Sequence, residues 1–556
     1  MKRFSFLIIL VFPLFAWTQE QSDSLRREVT IEKDFTPIVR DASKINTLPE
    51  VEAPTVTKHS IQYSDWTIPA SLEASAVLLP PSGFDDPLRK NLSRGYFDFG
   101  MGNYWNMAGN FGYRILQSET DRLGVWWQHR STSGTVDYNQ SLPGYDNSRK
   151  MRQLEEQVVV DYRHAFEKLD FGIRGGYRYD SFNYYGLRYP DVQGIASLGQ
   201  DINRFFLKSD VVSSNIEAPF NYKASLAYYR YGFQRGYLQE SKGAAENLVE
   251  ADFALSAPID SRSNILLDGT FDYIGYSQLP SETGYGMLSL NPRYGWRSDR
   301  ILLSAGIRAD ISFNNGTIFR FSPDVRFDWT IVPDLQFYTS LTGGKRLNTW
   351  HRVSGYTLYF NPSAVVANTY VPLDAEVGLQ VNALRGFSIG LSGGYEIGKN
   401  ILFLLPETGV NGEFTGVSSF AGIDAYGWKT DIDMSYRYGT AWEAKARIGY
   451  RQWIMDNGGR EISYNRPKWE GGVSIRYTPV PLLDLEAEYE FATGRDYDAL
   501  GSLADIHLVN LKATYKFTPK FSVYGLTDNL LNRKYDILYG MPAQGINFMF
   551  GLDLKF

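Results

Sequence analysis

The chain ends Gly545-Ile546-Asn547-Phe548-Met549-Phe550-Gly551-Leu552-Asp553-Leu554-Lys555-Phe556. Phe548, Phe550, Leu552, Leu554 and Phe556 fall on one face, and Asn547, Met549, Gly551, Asp553 and Lys555 on the other. This period of two makes the segment a β-strand with one apolar face. An exposed apolar strand at a chain end is an aggregation hazard for a soluble protein. In an outer-membrane barrel, lipid covers the apolar face and closure removes the edge. The segment therefore predicts an all-β fold, a transmembrane antiparallel up-and-down β-barrel.

Composition agrees. The chain has 556 residues, 15% of them aromatic, with 38 Tyr, 34 Phe, 51 Gly and no Cys. Its mean hydropathy is -0.29, which a barrel tolerates because half of every strand faces a polar lumen. No stretch after residue 20 approaches the roughly 18 consecutive apolar residues of a membrane-spanning helix. Lys2 and Arg3 precede an apolar run from Phe4 to Phe15, and Ala16-Trp17-Thr18 supplies small residues for cleavage. Residues 1–18 thus read as a secretory signal peptide. Without Cys there is neither a disulfide nor a lipid-modified cysteine, and a net charge of -6 offers no basic patch for nucleic acid.

From residue 94 to residue 556 the chain is a succession of alternating segments. Ile301, Leu303, Ala305, Ile307, Ala309, Ile311 and Phe313 oppose Leu302, Ser304, Gly306, Arg308, Asp310 and Ser312. Phe319, Phe321, Val325, Phe327 and Trp329 oppose Arg320, Ser322, Asp324, Arg326 and Asp328. These runs of about 11 to 14 residues exceed the usual 5 to 6 of soluble sheets and fit a tilted bilayer crossing. Short turns such as 117–122, 332–335 and 517–521 alternate with long connections such as 134–154, 346–374, 400–415 and 528–545. That is the layout of periplasmic turns and external loops, and argues against a soluble β-sandwich. The tally is 22 strands, with 415–438 long enough to hide an extra bend. Residues 19–93 carry seven prolines and little periodicity, so they read as an irregular, extended periplasmic or lumenal segment.

The end of the chain resembles the barrel domain of TonB-dependent receptors of Gram-negative outer membranes, in the style of Bacteroidetes proteins. The resemblance rests on Val509–Phe517, Phe521–Asn532, Arg533-Lys534-Tyr535, Tyr539–Gly545 and the terminal strand. It implies localisation in the cell outer membrane. It also implies that Phe548, Phe550, Leu552, Leu554 and Phe556 form the signal read by the barrel-assembly machinery. Members of that family carry a plug in the lumen behind a short energy-coupling box. Here only about 75 residues lie between the signal peptide and the barrel, about half a plug. Glu28-Val29-Thr30-Ile31-Glu32 resembles a coupling box that could add as a strand to a periplasmic TonB-like partner; the other reading is a tethering or lumen-lining strand. An unplugged barrel of this width would leak. Residues 19–93, inward-folded loops such as 346–374, or a separate protein must therefore block it, with 19–93 the favoured candidate.

Little in the sequence carries chemistry. His59, His129, His164, His351 and His507 have no metal-ligand spacing, and nothing places a nucleophile beside a base. No cofactor and no enzymatic activity are expected. Asp484, Glu486, Glu488 and Glu490 read as a lumen face paired with basic residues on neighbouring strands. The loop Leu347–Tyr359 offers Trp350, His351, Arg352, Tyr356 and Tyr359 as ligand-contact residues, rings with polar tips; its other reading is an aromatic girdle with loop packing. Tyr184, Tyr185 and Tyr189 pose the same choice. Two functions are expected: TonB-linked uptake of a bulky nutrient, or an accessory, structural barrel subunit of an envelope complex. The partners expected are outer-membrane lipid, the assembly machinery, and a TonB-like or other envelope protein.

Overall fold

A computed structural model describes residues 93–139, 147–186, 199–214, 219–236, 242–279, 284–314, 316–364, 366–384, 386–408, 414–497 and 500–556. The coupling-box-like residues Glu28 to Ile31 and Glu32, the rest of 1–92, and Tyr189 lie outside the described residues.

Twenty-two antiparallel strands close into a barrel. The first, Gly95–Gly102, pairs with the second, Met107–Gln117, and also with the last, Asn547–Lys555. The closing register runs from Tyr96 opposite Lys555 to Gly102 opposite Met549. Gly95 N donates to Phe556 O at 2.8 Å, and Phe556 N returns a bond to Gly95 O at 3.0 Å. Those bonds satisfy the edge that the sequence left open. The Phe556 ring packs 6.5 Å from Phe111 and 6.0 Å from Tyr113, across the seam.

Alternation sorts the side chains as expected. Phe550, Phe321, Leu226 and Ile307 are 70%, 56%, 56% and 52% exposed on the outside, where lipid takes the place of water. The opposite faces carry both signs of charge into the lumen. Short turns are closed by side-chain oxygens that accept from the chain two or three residues on. Asp260 takes N–H bonds from Arg262 (2.7 Å) and Ser263 (2.8 Å), which hold its carboxyl below the ordinary carboxylate range. Thr518 does the same for Lys520 and Phe521, so each of these two reversals is specified by one residue.

The third strand runs to Asp137, the fourth starts at Ser148 and the fourteenth at Thr369, inside the expected loops 134–154 and 346–374, and one further boundary moves most. The strand expected to stop at residue 400 runs Phe387–Thr408, and its partner is a single strand, Phe414–Tyr438, without the extra bend. Ile401-Leu402-Phe403-Leu404-Leu405 shows no period-two pattern because both of its faces are covered. Leu402 packs into one apolar cluster, and Ile401 and Phe403 into another. A strand buried on both faces reads as a continuous apolar run.

On the outside of the third and fourth strands, Asp121–Asp137 and Ser148–Ala165, two histidine–carboxylate pairs face outward. His164 Nδ1 lies 2.7 Å from Asp121 Oδ1 near the turn end. His129 Nδ1 lies 2.6 Å from Glu156 Oε1 towards the loop end, and Trp127 Nε1 donates to the same carboxylate at 2.9 Å. Between these pairs, the two strands show Leu123, Val125, Trp127, Tyr162, Val160 and Val158 outward.

Candidate functional site

The charged residues of the lumen pair with one another, across strands and, at Arg178 and Asp180, along one. Lys429 Nζ reaches Asp374 at 2.9 Å and Glu376 at 2.8 Å, Arg346 reaches Glu396 at 3.0 Å, and Arg178 reaches both Glu155 and Asp180 at 2.9 Å. Asp484 pairs with Lys516, and Glu486 lies 3.2 Å from Arg476, as the lumen-face reading expected. No ion pair to Glu488 or Glu490 is present among the described residues. No group of three or more His, Cys, Asp or Glu able to hold a metal ion occurs among them either. His129, His164 and His507 each point outward to a separate partner: Glu156, Asp121 and Tyr489.

The loop end of the barrel is where the chain does something a simple pore does not. Residues 347–364 leave the strand Leu335–Arg346 and fold inward. Thr349 caps a single helical turn, Trp350–Val353, its hydroxyl accepting from Arg352 N at 3.1 Å. Trp350 N donates to both carboxylate oxygens of Glu246 on the strand Ala245–Pro258, at 2.8 and 2.9 Å. Trp350 Nε1 donates to Ala364 O at 2.9 Å. The indole is fully buried, its ring 5.4 Å from Phe233, 5.5 Å from Tyr276 and 6.0 Å from Tyr231. The chain thus tucks a large apolar ring inward and satisfies both of its N–H groups, which makes the seat stable in a polar lumen.

The long hairpin completes the cover. Ser418 N donates to Tyr359 O at 2.7 Å and Asn361 N donates to Ser418 O at 3.0 Å, so the inward loop is tied to Phe414–Tyr438 by a single parallel bridge at Phe360. Tyr359 meets Phe182 at 4.9 Å and Tyr185 at 5.5 Å. Phe414, at the hairpin tip, lies so close to Gly186 that a Cβ there would sit 3.0 Å from its ring. Phe182 belongs to the fifth strand and Phe414 to the sixteenth, which are half a circuit apart in a ring of 22. The contact of Gly186, just past the fifth strand, with Phe414 means that the cap spans the mouth. Leu538, Met541 and Tyr539 of the last loop join the same apolar cluster. Beneath the hairpin, the Arg466 guanidinium lies 4.4 Å from the Phe403 ring and 5.4 Å from Trp453.

The proposed ligand-contact residues therefore divide. Trp350 and Tyr359 are buried in the cap, whereas His351, Arg352 and Tyr356 remain exposed. Tyr184 and Tyr185 are buried in the same core. What sequence reading missed is Glu246: a carboxylate on the polar face of a strand carries no signal that it will clamp a loop a hundred residues away.

His351 faces the lumen wall, its ring 6.1 Å from Tyr229. Although its ring is open to the lumen, the mass of protein around it, with Arg204 and Arg178 close by, pushes its pKa down to about 4. A histidine freed into solvent titrates near 6.5, so the unseated loop binds the proton more readily. His351 contributes most to the seat above about pH 6.5, and that contribution is lost as the pH falls towards 4. The ratio of proteolysis within 347–364 at pH 5 to that at pH 7 is expected to be lower in His351→Gln than in the wild type. An unchanged ratio would refute the link.

No family model matches the chain, and no curated protein matches it. Solved structures do. A ferric enterobactin receptor (PfeA) variant from Pseudomonas aeruginosa superposes with a TM-score of 0.65 at 12% identity, covering 83% of this chain and 80% of that one. The copper transporter OprC gives 0.61 at 14% identity, covering 84% and 80%. The ferripyoverdine receptor of the Pseudomonas aeruginosa outer membrane gives 0.59 at 12%, covering 84% and 72%. Likeness at these identities establishes the fold. The shared fold is a closed 22-stranded antiparallel β-barrel, the fold implied by the resemblance at the end of the chain.

Proposed function

We propose that this outer-membrane barrel takes up a bulky solute by TonB-linked transport, with the loop cap as its outer gate. The observation that supports this is the cap's construction. It is seated on the wall through one buried carboxylate, Glu246, and an aromatic core, while the lumen below it is lined with paired charges instead of apolar packing. A wall of that kind suits a polar cargo or a polar filler, and a cap held by a few contacts can be lifted. The receptors of the same fold are named for ferric enterobactin and ferripyoverdine, and OprC for copper. An iron chelate or another metal complex is accordingly the first class of cargo to test.

The test is a deletion strain supplied with single iron or copper sources at limiting concentration. Loss of growth on one source, restored by the wild-type gene, supports uptake. Normal growth on every source together with co-purification of a stable set of envelope proteins would sink it. The second reading, an accessory barrel in an envelope complex, gains from the cap's reach across the mouth, since a permanent cover needs no cargo.

A further inference from the structure

We propose that the outer surface of the fourth to seventh strands binds the phosphate of an outer-leaflet lipid headgroup, through Arg152 and Arg235. The register places Arg152 on the lipid-facing side, and Arg235, just past the end of the seventh strand, reaches that side through Asp201 and Gly199. Trp127, Val158, Tyr177, Phe205 and Arg230 form one row across five successive strands. His129, Glu156, Tyr179 and Asn203 form the next row outward. Arg152 stands four residues beyond Glu156 on the same face of its strand, about 10 Å further out at ordinary strand rise and tilt. This height is that of the headgroup layer rather than the hydrocarbon.

Two guanidinium groups converge there. A Cβ on Gly199 would sit 3.1 Å from Arg235 Nη1 and 3.9 Å from Arg152 Nη2, so both cations frame the same side-chain-free position. Arg235 donates to Gly199 O at 3.1 Å and reaches Asp201 at 2.8 Å, and Tyr179 shares that carboxylate at 2.8 Å. Arg152 has no acidic partner among the described residues. Lys150 follows on the same outward face, exposed, and Arg230, three rows below Arg152 in the Trp127 row, donates to the neutral Asn247 at 2.9 Å. The carboxylates of this outward face are already engaged, Glu156 by His129, Asp201 by Arg235 and Asp137 by Lys534 at 3.8 Å. Lys150 and Arg152 thus add positive charge with no acidic partner among the described residues, on a surface that touches the membrane. Long basic side chains above an aromatic row reach for phosphate. Two planar forks over one glycine suit a multi-oxygen anion better than a lone charge would.

The test is native mass spectrometry of the intact barrel purified in mild detergent, with wild type, Arg152→Gln/Arg235→Gln and the turn variant Lys520→Gln compared. Wild type and Lys520→Gln are expected to retain a phosphate-bearing lipid. At roughly a fivefold loss of affinity per cation removed, the double variant should bind about 25-fold more weakly. Unchanged heat-modifiable migration on gels shows that the double variant is folded; if it is not, Lys150→Gln and Arg152→Gln singly carry the comparison. Equal lipid retention by folded variant and wild type would overturn the proposal. So would binding of inorganic phosphate as tight as that of the lipid, which would mark a free-anion site instead.

Discussion

Trp350→Ala is expected to open the mouth of the barrel without unfolding its wall. The indole is fully buried and touches rings from the seventh and ninth strands as well as Phe360 of its own loop. Deleting such a ring costs about 3–5 kcal/mol. That cost falls on the cap, because the wall is held by its own continuous ladder of hydrogen bonds. The backbone N–H bonds to Glu246 survive the substitution, so the loop should flicker between seated and unseated rather than leave permanently. In planar bilayers the variant should show frequent large-conductance openings where the wild type is quiet. Its heat-modifiable migration and its protease-resistant core should stay unchanged. Quiet traces from a correctly inserted variant would show that the mouth is closed by something other than this seat.

Removing residues 547–556 should have the largest effect of all, abolishing assembled protein in the outer membrane. The last strand is paired on both sides, with Phe521–Asp528 and with Gly95–Gly102. Its loss would expose two unpaired edges in hydrocarbon, each open backbone group costing several kcal/mol. Immunoblots of sucrose-gradient membrane fractions decide the matter. Signal in the outer-membrane fraction at wild-type level, with heat-modifiable migration, would contradict it.

How much of this could be read from the sequence depends on whether a residue's surroundings are local. The barrel was legible because each strand states its own two environments, lipid and lumen, in its alternation. The count of 22 and the alternation of turn and loop lengths followed from that. Where both faces meet protein, as in Ile401 to Leu405, alternation vanishes and a strand looks like a loop. The site was less legible. The loop 347–359 stood out by its aromatic and polar content, but whether Trp350 meets cargo or core depends on Glu246, Tyr231 and Phe233, residues on strands about a hundred positions away. Lumen-facing Asp484 and Glu486 could be assigned cationic neighbours because register is local once strand order is known. The cations at Arg152 and Arg235 meet only because a glycine lies between them on a third strand, a coincidence of register that no window of sequence contains.

The two outward histidine–carboxylate pairs bear on the membrane itself. From Asp121 to His129 is eight residues along one strand, about 20 Å of height at ordinary rise and tilt. The hydrocarbon core of a typical bilayer is about 30 Å thick. Lipid beside the third and fourth strands therefore has to compress, tilt its chains, or admit water to the polar pairs, at a cost of fractions of a kcal/mol per ångström. A thin membrane avoids most of that cost. Through Asp121, His164, His129 and Glu156 this side of the barrel is matched to thickness, so its stability should depend on acyl-chain length and be greatest in short-chain lipid.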